Sequence, residues 1–157
     1  MSAKGFYLAQ DGHAVNILPP VSVTGGVNGA IFDARNHAHV SIFISLGAAT
    51  TDLSKITVNA CTTLAGGSPV AIPFDLFACE VANTDVFGPR LPQPSTGYTP
   101  AAVADIMYVI ELDAAVLPQG ATFIQLALAG GSAALASAVA ILSGARYAED
   151  QSLSVLL

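Results

Sequence analysis

The chain has 157 residues, enough for one domain with a sizeable core. Apolar residues make up 53 % and charged residues 10 %, against roughly 25 % charged in ordinary soluble domains, and the net charge is −6. Five scattered cations (Lys4, Arg35, Lys55, Arg90, Arg146) cannot line a phosphate backbone, and no stretch interleaves aromatics with them, so nucleic acid is excluded as a partner. With so few charges the surface is either bland or largely covered by partners. The depletion of charge in interface cores favours the second reading.

Residues 1–10 lack the long apolar core of a signal peptide, so export by that route is not expected. The first 30 residues are polar and Gly-rich, and Pro19-Pro20 forces extension. They are read as an extended arm, followed by a β-sandwich domain over 31–148 and a tail over 149–157. His37 and His39 precede the first clear strand, where both rings would share a face about 7 Å apart. Two histidines on one face need further ligands to hold a metal, and Asp33 is the nearest acid in sequence, so solvated or interface histidines are expected.

Alternation of period two then recurs along the chain. Val40, Ile42, Ile44 and Leu46 share a face, opposite Ser41, Phe43 and Ser45. Ile56, Val58 and Ala60 lie opposite Lys55, Thr57 and Asn59. Cys61 and Cys79 have no clustered partners and read as two buried thiols, with a disulfide left open. Residues 87–100 carry four prolines and no alternation, the mark of a long structureless loop that is either a contact element or a mobile surface segment.

Thr99 to Asp105 could open a short helical turn at Pro100. In the next strand Tyr108, Ile110 and Leu112 lie opposite Glu111 and Asp113. That carboxylate pair fits a charged outer face better than an acid–base site, since no platform for a substrate accompanies it. Ile124, Leu126 and Leu128 point inward from the strand after it. Residues 121–145 run 25 positions without a charge, long enough to span a bilayer, but Gly130-Gly131-Ser132 interrupts them. They are read as two core strands and a turn, not a membrane segment. Within them, Ala133 to Leu142 fits either a strand or a helix, and the flanking glycines and β-rich context favour the strand. Short strands separated by Gly- and Pro-rich turns indicate an all-β antiparallel sandwich. No P-loop, nucleophile elbow, dinucleotide fingerprint or zinc-protease motif occurs, so neither enzyme nor cofactor is expected.

The series Leu18-Pro-Pro, Gly25-Gly26-Val27, Asn36 to Gly47, Ile56-Thr-Val, Met107 to Asp113 and Leu142 to Ala148 resembles small virion structural proteins of tailed bacteriophages. The resemblance covers residues 18–148 and implies a jelly-roll-like sandwich that forms homotrimers. Its implied role is capsid decoration, or cement: binding the outside of the head and bridging major-capsid subunits, after synthesis in the host cytoplasm. A tail or head–tail connector component shares the same features, and a carbohydrate-binding sandwich is a further alternative. The family pattern carries no residue-level site. Candidate assembly contacts are Pro19 and Pro20 in the arm, Arg90, Pro92, Pro94 and Tyr98 in the 87–100 loop, where proline lowers the entropy lost on docking, and the pair Arg146 and Tyr147 near the tail, Arg and Tyr being enriched among interface hot spots.

Overall fold

The computed structural model describes residues 8, 12–47, 55–100, 105–130 and 134–145. Their strands are β1 (Gly12–Ser22), β2 (Val27–Asn28), β3 (Phe32–Asp33), β4 (His37–Leu46), β5 (Lys55–Cys61) and β6 (Val70–Ala71). They continue as β7 (Phe74–Ala78), β8 (Leu91–Gln93), β9 (Ile106–Asp113), β10 (Phe123–Ala129) and β11 (Leu135–Ala145). A single 3₁₀ turn, Ala114–Val116, follows β9 among the described residues.

The strands form two antiparallel sheets of a sandwich. One runs β1-β11-β4-β9-β7-β8; the other runs β2-β10-β5-β6, with β3 also on β10. The pairings are nested: β1 with β11, β2 and β3 with β10, β4 with β9, and β5 with β6. Successive pairs alternate between the sheets, and β11·β4 and β10·β5 join them side by side. A long hairpin rolled up in this way is a jelly roll, with β7 and β8 inserted between β6 and β9 to widen the first sheet.

The alternating segments supply the core. Val40, Ile42 and Ile44 of β4, Ile56 and Val58 of β5, Tyr108, Ile110 and Leu112 of β9, and Ile124, Leu126 and Leu128 of β10 are all buried in one cluster. Each such side chain contributes about 1.5–3 kcal/mol on leaving water. Residues 121–145 divide between β10 and β11, which lie in different sheets, so the uncharged run changes sheets rather than forming a hairpin. No helix of the described residues is long and apolar enough to cross a membrane.

Three expectations change. The segment expected as an arm over 1–30 is part of the sandwich from Gly12 onward, because Val15, Ile17 and Leu18 of β1 are buried in the core. Pro19 and Pro20 hid that pattern: they fall at a shift of register between Leu18 and Val21 on an edge strand, where a missing N–H is tolerated. The Pro-rich segment 87–100 is not structureless. Phe87 bridges Cys79, β8 pairs with β7, and Tyr98 exchanges two backbone hydrogen bonds with Ile56 (2.7 and 2.9 Å). The segment therefore ties the β8 edge of one sheet to β5 of the other. Gly97 is required there: its φ is +87°, and a Cβ would sit 2.4 Å from the Ile56 carbonyl oxygen. Lastly, His37 is buried rather than solvated. Cys61 and Cys79 are buried free thiols. The turn expected at Thr99 to Asp105 falls largely outside the described residues.

Candidate assembly surface

The two outer sheet faces differ in chemistry. On the five-stranded sheet the outward residues are mostly polar or small: Lys55 opposite Ala129, Thr57 opposite Ala127, and Asn59 opposite Gln125. Phe123 and Val70 are large apolar exceptions: Val70, on the edge strand β6, is 50 % exposed, and the Arg35 guanidinium covers Phe123 at 5.6 Å from the ring centre. The six-stranded sheet carries an apolar band across its outer face.

Its outward residues fall into cross-strand rows. The central row runs Asn16, Val139, Phe43, Val109 and Phe77 across β1, β11, β4, β9 and β7. One flank adds Met107, opposite Ser45, with Leu135 beyond them at the start of β11. The other adds Ile141, opposite Ser41. Val109 is buried between its two aromatic neighbours, but Leu135 is 59 % exposed, Met107 39 %, Val139 38 % and Phe43 36 %. The result is an uncharged apolar band across the sheet.

The band arises from the orientation of β11. Its alanines at 136, 138 and 140 point into the core and are at most 2 % exposed, while Leu135, Val139 and Ile141 point outward. The inward rows explain how this packs. Ala138 lies between Leu18 and Ile44, and Ala140 between Val15 and Ile42. A small residue between two large ones makes a furrow along β11, and the near-zero exposure of the alanines means that the opposite sheet fills it.

A charged cluster borders the band. The next row places Glu111 opposite Ser41 and Asp75, and the row beyond pairs His39 with Asp113. His39 lies between the carboxylates, with Nε2 2.6 Å from Glu111 Oε2 and Nδ1 2.8 Å from Asp113 Oδ1. The Ser41 hydroxyl donates to the same Glu111 oxygen at 2.6 Å, and Arg90 pairs with Asp75 at 2.6 Å. A cleft of about 230 Å³ opens among them, lined by His39, Glu111, Asp113, Asp75 and Arg90. Burial opposes charging of the His39 ring, but hydrogen bonds to Asp113 and Glu111, reinforced by their charges, outweigh it and raise its pKa above 6.5.

His37, two residues away, is in the opposite situation. It is 5 % exposed, its Nδ1 has no partner among the described residues, and its ring stacks on His13 with centres 6.3 Å apart. Burial and then the charge of His13 lower its pKa, with Asp33 opposing. Among the described residues no group of three His, Cys, Asp or Glu is arranged to hold a metal.

The residues singled out from the sequence are dispersed. Pro19 and Pro20 are exposed on β1, Arg90, Pro92 and Pro94 are exposed on or beside β8, and Tyr98 packs on the core edge-to-face with Tyr108 at 5.8 Å. Of these, only Arg90 and Pro92 border the cleft beside the band. Arg146 and Tyr147 lie outside the described residues. Sequence reasoning missed the band, since alternation on β11 does not say which face turns inward. It also missed the clamp on His39, although both halves were visible as the His37/His39 and Glu111/Asp113 pairs; the missing information was that β4 pairs with β9.

The fold and this surface define a jelly-roll sandwich with an apolar band across one outer face. No family model matches the chain, and no curated protein matches it. Among solved structures it is similar to the SPBc2 prophage-derived protein YomS, at 14 % identity and a TM-score of 0.46, over 83 % of this chain and 93 % of that one. A likeness that distant carries no weight in assigning a function.

Proposed function

We propose that the chain is a structural protein of a tailed-phage virion: a decoration, or cement, protein that binds the capsid exterior as a homotrimer and bridges major-capsid subunits. The observation that supports an assembly role is the orientation of β11. In a free chain, outward Leu135 and Val139 gain little from leaving water, while inward alanines give up core volume that larger residues could fill. The arrangement becomes favourable once a second surface covers the band, and contiguous exposed apolar patches rimmed by polar groups mark such contacts. The phage head as the assembly rests on the resemblance of the strand series. In this reading the chain performs no chemistry and holds no cofactor. It works by repetition, with modest contacts at many symmetric sites summing to a strong hold.

The test is the position and copy number of the chain in the intact particle. Density at many icosahedral sites on the head, with the six-stranded sheet against the shell, is the expected result. Density only at the tail or connector would overturn the cement role, and absence from the particle would overturn the virion role altogether.

A further inference from the structure

We propose that His39, Glu111 and Asp113 form a proton-operated rim to the apolar band, so that docking of this face takes up a proton and is released by alkali. This rests on the assembly reading and adds its regulation.

Both nitrogens of His39 lie within hydrogen-bond distance of a carboxylate oxygen. A neutral imidazole has one N–H and one lone pair, so one contact would then set a lone pair against an anionic oxygen. Only the doubly protonated ring donates to both. Among the described residues no substitute cation lies at the ring. From β9 come Glu111 and Asp113; from β7 comes Asp75, which Arg90 pairs; and β11 brings only the hydroxyl of Ser143 opposite His39. Three carboxylates and one guanidinium leave two negative charges when the ring is neutral and one when it is protonated.

The position gives this charge its consequence. Glu111 is in the row next to Phe43 and Val109, so any surface that covers the band also strips water from Glu111 and its neighbours. A desolvated carboxylate without a counter-charge is costly, and a partner on the band closes off the water that would otherwise serve. Against a partner surface that brings no cation to this rim, the docked state therefore holds the proton more tightly than the free state. By linkage, affinity for the shell falls as pH rises through the His39 titration, by at most about tenfold per pH unit for one proton.

The experiment has two arms. In the free chain, the ring nitrogens of His39 are followed by ¹⁵N NMR across pH 5–9. The expected result is a ring protonated at both nitrogens in acid that loses one proton with a midpoint above 6.5; a midpoint at or below 6.5 overturns the clamp itself. In the second arm, co-sedimentation with phage heads stripped of the chain is measured over the same range for wild type, His39→Gln and Val139→Thr. Wild-type binding should weaken with alkali, His39→Gln should bind with no such slope, and Val139→Thr should bind weakly with the slope retained. A wild-type affinity flat in pH beside a normal titration overturns the coupling. Failure of every form to bind at any pH overturns the assembly reading on which the coupling depends, while the NMR arm still decides the clamp.

Discussion

The substitution Val139→Thr separates a surface made for a partner from one made for water. It exchanges a methyl for a hydroxyl at nearly constant volume and keeps the β-branched shape that a strand favours. Val139 is 38 % exposed at the centre of the band, so in the free chain the hydroxyl stays hydrated and the stability changes by no more than about 0.5 kcal/mol. Beneath a partner the hydroxyl loses water and gains nothing, at about 1–3 kcal/mol per copy. That corresponds to about 5- to 150-fold weaker docking at each site. Val58→Thr is the internal control, because Val58 is 0 % exposed on β5 and the same exchange there lowers folding stability by about 1–3 kcal/mol. Guanidinium unfolding at two protein concentrations gives the first quantity and removes any contribution from self-association. Co-sedimentation with stripped heads gives the second. If Val139→Thr destabilises the free chain as much as Val58→Thr, or leaves docking unchanged, the band is not an interface.

Gly97→Ala is expected to lower stability by about 2 kcal/mol or more, since its Cβ would meet the Ile56 carbonyl at 2.4 Å. Gly120→Ala, with a similar φ of +84° and nothing within 4 Å, should cost only the backbone term of about 1–2 kcal/mol; the difference in unfolding midpoints reads the clash alone. Ala138→Leu should overpack the furrow at about 1–3 kcal/mol, measured as loss of unfolding free energy, whereas Ser137→Leu on the outer face should not. The pH dependence of stability should carry two opposite slopes. His37 has a lowered pKa, so its contribution is present above 6.5 and is lost as pH falls through the folded value; His39 has a raised one, so its contribution is full below 6.5 and is lost as pH rises through the folded value. In unfolding titrations from pH 5 to 9, His37→Gln should flatten the acid side and His39→Gln the alkaline side.

The sandwich was legible because four strands carry their inward residues in strict alternation. Val40 to Leu46, Ile56 to Ala60, Tyr108 to Leu112 and Ile124 to Leu128 are buried as the pattern requires. The Pro-rich segment was not legible, because bridges of one to three residues, such as Leu91–Gln93 on β7 or Tyr98 on Ile56, are set by tertiary contact and leave no period in the sequence. The histidines show an intermediate case. Their spacing is local and readable, but their environments depend on distant strands, so one ring packs on His13 and the other between Glu111 and Asp113.

The strand β11 shows the deeper limit. Alternation reveals two faces and does not say which is inside; ordinary transfer energies would turn Leu135, Val139 and Ile141 inward. A shift of register by one residue would do that, and would also drive three large side chains into a furrow flanked by Leu18, Ile44, Val15 and Ile42. The furrow therefore selects alanine, and once alanine is fixed inside, the outward positions are free to carry whatever the surface needs. Water alone selects polar residues there. That Leu135, Val139 and Ile141 are instead aliphatic, beside the serines at 137 and 143 and with Val139 in a row with Phe43 and Val109, is a choice that packing within the chain does not require, and it is the feature that most directly calls for a partner.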